Sequence, residues 1–239
     1  MGIYGVKKTM EKQKRIIASA IEQSVLKPTA MRADVLKACR EAATYGFHGV
    51  CVNPIHISMA REAADSISKE TESAAIKVIT VIAFPLGSSS SSSKVYEAMR
   101  AAQDGADELD IVMAIPLAME GDWQAVEKDI SDVITATPGL VHKVIIETAY
   151  LKNAIETEQA AGAALRAGAA FIKTSSGYAP KGATVEDVLF LKQITGDRAG
   201  IKAAGGIRTL ESAAGLLRAG ASRLGTSAGV QIIESFSSR

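Results

Sequence analysis

The sequence predicts an α/β protein folded as a single (β/α)8 TIM barrel with an extra N-terminal helix, on three observations. Short apolar, β-branched runs alternate with longer segments of helical period, and eight such pairs fit between residues 21 and 234. Three helix exits share one phrase, Asp104-Gly-Ala-Asp107, Arg166-Ala-Gly-Ala169 and Arg218-Ala-Gly-Ala221, each a helix end, a glycine and a turn into a strand. No boundary divides the chain, so residues 1–239 read as one domain, with 1–20 as a leading helix that caps the barrel bottom and 21–234 as the barrel. Strands that alternate with helices pair in parallel. Eight units at this length favour closure over the alternative, an open doubly wound sheet.

The elements follow in order. Ser24-Val-Leu26 marks the first strand, and a helix runs from about Met31 to Tyr45. Gly49-Val-Cys-Val52 is a short buried run, followed by a helix over Ile55 to Ser68. Lys77 to Ile82 is β-branched and strand-like, and Lys94 to Asp104 is helical with Gly105 as its stop. Glu108 to Val112 is a strand, and Trp123 to Ala136 is a helix closed by Pro138-Gly139. Strand Val141 to Glu147 precedes helix Asn153 to Ala167, and strand Ala170 to Thr174 precedes helix Thr184 to Ile194. Gly200 to Ala203 and Ser222 to Gly225 are the last strands, followed by helices over Leu210 to Ala219 and from Val230 onward. Six serines, Ser88 to Ser93, read as a solvated loop at the carboxyl end of a strand, or as a mobile lid segment.

Composition narrows the function. The 239 residues are 47% hydrophobic and 22% charged, which suits a globular protein with a substantial core. Twenty-seven basic residues against 26 acidic leave a net charge of +1, and aromatics are 5%; neither favours a nucleic-acid partner. Cys39 and Cys51 form no CxxC, and His48, His56 and His142 form no ligand-spaced cluster, so no metal site is expected. The cysteine usage fits a reducing compartment. Residues 1–15 lack the apolar region of a secretory signal, and no apolar run reaches membrane-spanning length. A cytoplasmic enzyme with no membrane partner is the expectation.

Strands inside a barrel should be nearly all apolar, yet Asp110, Glu147, Lys173 and Lys202 sit near the carboxyl ends of strands, where barrel enzymes place catalytic groups. If Ile172, Thr174 and Ile201 pack outward, alternation turns Lys173 and Lys202 into the barrel on neighbouring strands. Two adjacent buried lysines lower each other's pKa, and a neutral lysine attacks carbonyl carbon to give a Schiff base. Asp110 is the candidate acid/base partner. The competing reading has one lysine reaching the rim to pair with Glu147 or Asp110. Asp107 falls in the entering turn, and Glu108 pairs with a lysine lower in the barrel.

A second constellation suits phosphate. Gly205-Gly206 follows strand seven, Gly225-Thr-Ser-Ala-Gly229 follows strand eight and opens a helix, and Ser175-Ser-Gly177 follows strand six. Backbone N–H groups in such loops approach anions closely, and barrels often bind phosphate after strands seven and eight. Arg208 either meets the phosphate or caps the next helix.

These residues together resemble the deoxyribose-phosphate aldolase family of class I aldolases. The likeness runs from about Ile21 to Glu234. It is carried by Leu26-Lys-Pro28, Val50-Cys-Val-Asn-Pro54, Thr80-Val-Ile-Ala-Phe-Pro-Leu-Gly87, Gly105-Ala-Asp-Glu-Leu-Asp110, Lys143-Val-Ile-Ile-Glu-Thr148, Phe171-Ile-Lys-Thr-Ser-Ser-Gly177, Ile201-Lys-Ala-Ala-Gly-Gly-Ile-Arg-Thr209 and Gly225-Thr-Ser227. The resemblance implies that Lys173 is the Schiff-base lysine, that Lys202 depresses its pKa, and that Asp110 works with Lys202 in proton relay. It implies phosphate contacts at Gly177, Gly205, Gly206 and Ser227, and a bystander role for Cys51 beside the pocket. The implied reaction is reversible cleavage of 2-deoxy-D-ribose 5-phosphate to glyceraldehyde 3-phosphate and acetaldehyde, in nucleoside catabolism, with no metal or organic cofactor, by a homo-oligomer (dimer or tetramer). Other readings are a lysine-dependent aldolase on another aldehyde or sugar phosphate, and a sugar-phosphate isomerase. The family usually reads Asp-His-Thr where this sequence has Glu22-Gln23-Ser24, so Ser24 is a substrate-site candidate and substrate preference is the property most exposed to change. Some members end in a tyrosine that reaches the site; this sequence ends Ser237-Ser-Arg239.

Overall fold

The computed structural model describes residues 3–236, with side chains from residue 10 onward; Met1, Gly2 and the final Ser237-Ser-Arg239 lie outside the described residues. Eight strands, β1 (Ile21–Val25), β2 (Gly49–Val52), β3 (Lys77–Ile82), β4 (Glu108–Val112), β5 (Val141–Ile145), β6 (Phe171–Lys173), β7 (Gly200–Ala204) and β8 (Arg223–Thr226), pair in parallel in sequence order. β1 also pairs with β8, which closes the barrel. The outer helices are α2 (Arg32–Tyr45), α3 (Ile57–Thr71), α4 (Ser91–Gln103), α6 (Trp123–Ala136), α7 (Ala154–Arg166), α8 (Val185–Thr195), α9 (Leu210–Arg218) and α10 (Gly229–Glu234). The leading helix α1 (Ile3–Ala20) buries Ile17, Ala18 and Ala20 and packs against α9 and α10 of the outer ring.

Local chemistry explains the helix starts. Asn153, Thr184 and Thr209 each accept a backbone N–H three residues ahead, capping α7, α8 and α9. Two short pieces escape sequence reading: a single 3-10 turn at Pro54–His56 and α5 (Ile115–Met119), both too short to show helical period. The serine run is a correction. Only its first residues form loop; Ser90 Oγ accepts the Ser93 N–H at 3.3 Å, and α4 starts at Ser91 rather than Lys94. Serine is a poor helix interior residue but a strong cap, so a serine-rich helix start resembles a loop in sequence.

Alternation divides the strands into two faces. Val50, Val52, Leu109, Ile111, Val144, Ile146, Ile172, Ile201, Ala203 and Leu224 point outward into the main core beneath the helices. The inward apolar cluster is small: Cys51, Ile79 and Val81, with Leu26 and Phe84 against it. On β4 to β8 and β1 the inward positions include Glu108, Asp110, Lys143, Lys173, Lys202, Arg223 and Glu22. Among the described residues, no helix is long and apolar enough to cross a membrane.

Candidate active site

The barrel interior holds a chain of alternating charges. At its carboxyl end Lys173, 2% exposed, donates to Asp110 Oδ2 at 2.7 Å. Lys202 donates to the same oxygen at 2.5 Å, and Lys143 donates to Asp110 Oδ1 at 3.1 Å. Register explains the convergence: Asp110 on β4 is level with Lys143 on β5, and Lys173 on β6 is level with Lys202 on β7. Lys202 also donates to Glu22 Oε2 on β1. The chain continues to the amino end, where Lys143 lies 2.5 Å from Glu108 Oε2 and 3.5 Å from Glu22 Oε1. His48 meets Glu108 Oε1 at 2.7 Å, and Arg223 lies 3.7 Å from Glu22.

These pairings reverse one expectation. Burial alone would lower the Lys202 pKa, but the Asp110 and Glu22 carboxylates outweigh it and hold the ammonium above its usual range. Lys202 is thus a persistent cation, not a lysine depressed by its neighbour. Lys143 behaves alike: burial opposes its charge, and Asp110 and Glu22 more than restore it. Burial would raise the Asp110 carboxyl, yet three surrounding ammonium groups keep it well below the ordinary carboxylate range.

Lys143, Glu22 and His48 were not read as site residues from sequence. Glu22 and Lys143 carry the same charge-in-strand signal, away from the carboxyl ends of their strands, whereas His48 precedes β2 and gives none. Glu108 does pair with a lysine lower in the barrel, and Asp107 does lie in the entering turn, where it accepts Arg61 at 2.9 Å. Glu147 stays outside the ammonium cluster. It follows β5 with φ 47, and its Oε2 accepts the Ser176 N–H at 3.1 Å, holding the loop after β6.

The substitutions at the start of the barrel fall on different faces. Gln23 points outward, accepting the Gly229 N–H at 3.1 Å and donating to Glu41 at 3.0 Å. Glu22 points inward onto Lys202 and Lys143, and Ser24 lines the mouth. Cys51 is buried in the inward apolar cluster, where desolvation pushes its thiol to about 11.

The mouth opens into a cavity of ≈ 1450 Å³ that brings Lys173 together with Ser24, Gly177, Gly205, Gly206 and Ser227. Gly177 and Gly206 are required by their left-handed φ of +89 and +76, and Gly205 by space as well. A Cβ on Gly205 would sit 3.1 Å from the Gly182 Cα and 3.3 Å from the Gly177 Cα, and its φ of +88 is left-handed. Arg208 lines the same cavity and does not cap α9, because Thr209 fills that position. The helix that follows β8 is short, running only over Gly229–Glu234. Phe84 and Tyr178 form a wall that sequence reading missed. The Phe84 ring centroid is 6.0 Å from Lys173 Nζ, Tyr178 meets Phe84 edge-on at 5.3 Å, and the Tyr178 hydroxyl donates to Leu26 O at 2.9 Å.

The histidine spacing suggested no ligand cluster, but folding gathers His48, Glu22 and Glu108, with ligand atoms within 4.8 Å of one another. The Lys143 ammonium is the cation these two carboxylates hold.

Comparison with known proteins agrees with this geometry. Residues 14–235 match the model of the DeoC/LacD family of aldolases. A deoxyribose-phosphate aldolase of Thermococcus kodakarensis is 46% identical over 223 residues, covering 92% of this chain and 97% of its own. The solved structure of an aldolase named QR15 superposes with a TM-score of 0.85 at 39% identity, over 93% of this chain and 96% of its own. A deoxyribose phosphate aldolase from Aeropyrum pernix, described as a tetramer, gives 0.84 at 30% identity over 100% and 99%.

Proposed function

Because the chain belongs to the DeoC/LacD family of aldolases, we propose that it is a lyase that cleaves 2-deoxy-D-ribose 5-phosphate reversibly through a Schiff base on Lys173. The observation that carries the reading is one lysine at the mouth of a cavity large enough to admit a sugar phosphate, bonded to a carboxylate that two further ammonium groups share. The Lys173 amine attacks C1 of the open-chain sugar, and loss of water leaves an iminium that draws electrons from the C2–C3 bond. Removal of the C3 hydroxyl proton breaks that bond, releases glyceraldehyde 3-phosphate and leaves an enamine. Protonation at C2 and hydrolysis then free acetaldehyde and regenerate the amine.

Asp110 is the proposed proton carrier, since it already receives hydrogen bonds from Lys173 and Lys202. Lys202 stays charged throughout and stabilises negative charge as it moves through Asp110. Glycines 177, 205 and 206, with Ser227, are the proposed phosphate cradle, with Arg208 on the same cavity wall. Lys173 supplies the electron sink, so the reading calls for no cofactor. Cys51 takes no chemical step, because desolvation keeps its thiol protonated near neutral pH.

We further place the enzyme in the cytoplasm as a homo-oligomer. The two buried free thiols fit a reducing setting, and the tetrameric description of the Aeropyrum pernix relative supports assembly. Sedimentation would show a single species above 25.0 kDa if this holds.

Borohydride trapping tests the central claim. Protein incubated with the sugar phosphate, reduced and digested should carry its adduct on Lys173, and Lys173→Ala should carry none. Cleavage that persists in Lys173→Ala would refute the Schiff-base reading.

A further inference from the structure

The charge chain does not end at the active site. From Asp110 it runs through Lys143 and Glu108 to His48, whose side chain is 17% exposed at the amino-terminal mouth, the opposite end from the substrate cavity. We propose that His48 is a positioning residue for Lys173, acting through Glu108, Lys143 and Asp110, and that the hydrogen bond it gives Glu108 governs how much Asp110 charge remains for the Lys173 ammonium. The inference rests on Lys173 being the Schiff-base lysine.

The argument is one of competition for Lys143. Its ammonium is shared between Glu108 Oε2 at 2.5 Å, Asp110 Oδ1 at 3.1 Å and Glu22 Oε1 at 3.5 Å. All three carboxylates are almost wholly buried, so each draws strongly on the few donors within reach. His48 Nε2 donates to Glu108 Oε1 at 2.7 Å, satisfying one of its oxygens. Without that donor, Glu108 draws Lys143 toward itself and away from Asp110. Asp110 is then left to Lys173 and Lys202, and it holds the Lys173 proton more tightly. Less free amine is available at a given pH.

The groups around His48 are few and defined. Glu22 from β1 and Glu108 from β4 lie beside it, Lys143 from β5 reaches it through Glu108, and Arg223 from β8 is paired with Glu22. Lys77, at the start of β3, is the residue whose N–H bonds His48 O, but its ammonium is engaged with Asp107 at 3.3 Å. Glu108 responds to this setting. Burial would raise its carboxyl, but the His48 hydrogen bond and Lys143 bring it down to about 2.

The test compares His48→Leu, which removes the donor, with His48→Gln, which keeps an amide donor without a titrating ring. Trace reductive methylation of Lys173, followed by mass spectrometry across pH, reads the free-amine fraction without needing turnover. Borohydride trapping with 2-deoxyribose 5-phosphate runs in parallel. In His48→Leu the labelling midpoint of Lys173 should rise by about one pH unit, or about tenfold less labelling at a fixed pH below it. His48→Gln should stay close to the parent. Coincident midpoints in parent and His48→Leu would overturn the proposal. So would an equal shift in both variants, which would assign the effect to imidazolium charge, or a uniform loss of labelling with lowered thermal stability and no moved midpoint. Failure of the parent to trap substrate would sink the Schiff-base reading and with it the catalytic meaning of the coupling, an outcome distinct from the labelling midpoints, which report the coupling itself.

Discussion

Asp110→Asn is the most informative single perturbation, because it moves stability and nucleophile availability in opposite directions. The carboxylate accepts from three ammonium groups at 3.1, 2.7 and 2.5 Å, and it is fully buried. Removing its charge leaves Lys143, Lys173 and Lys202 facing Glu22 and Glu108 alone. Stripping the partner from a buried ion pair costs about 3–5 kcal/mol, since an uncompensated charge stays in a low-dielectric site. For a domain of this size each kcal/mol lowers Tm by about 2–4 °C, so the variant should melt roughly 6–20 °C below the parent. The same change relieves Lys173 of the group that holds its proton, so its labelling midpoint should fall. Turnover should nevertheless drop by about 10²–10⁴-fold, because the proton carrier is gone. Thermal unfolding by circular dichroism, Lys173 methylation across pH and sugar-phosphate cleavage read the three effects separately. A parental Tm together with an unmoved or raised Lys173 midpoint would refute the account of the charge chain.

Four further outcomes follow from particular contacts. Glu108 has its carboxyl lowered to about 2 from 4.5, so it stabilises the fold above about pH 4.5 and that share is lost as pH falls through about 2. The share is about 3 kcal/mol, and acid unfolding of Glu108→Gln should show a shallower pH dependence across that window. Tyr178→Phe removes the 2.9 Å hydrogen bond to Leu26 O that spans the mouth, worth about 1 kcal/mol, and should raise KM several-fold with little change in kcat. Lys94→Met breaks the buried pair with Asp129 at 2.6 Å between α4 and α6. It should cost about 3 kcal/mol in urea unfolding and leave trapping on Lys173 intact. Cys39 and Cys51, both buried with thiols raised to about 11, should resist iodoacetamide at pH 8 until the chain is unfolded.

Much of this molecule could be read from local patterns. The period of two places Ile172 and Ile201 outward and therefore Lys173 and Lys202 inward, and capping and glycine exits delimit most helices, because each signal involves residues within a turn or two of chain. The same locality misled at Ser91 to Ser93, where capping chemistry overrode low helix propensity, and it could not register five-residue α5. The site was legible as a set of candidates, with Lys173, Lys202, Asp110, Gly177, Gly205, Gly206 and Ser227 drawn to one end of the barrel.

Closure of the sheet and its register decided what those charges mean. They bring Glu22 from β1 against Lys202 from β7, 180 residues away in sequence, and turn an expected depressed lysine into a fixed cation. They set Lys143 between three carboxylates and connect the substrate mouth to His48 at the far end. Side-chain direction is a property of the strand, but the charge state of a buried group belongs to all its neighbours, and the pairing of distant strands chooses those neighbours.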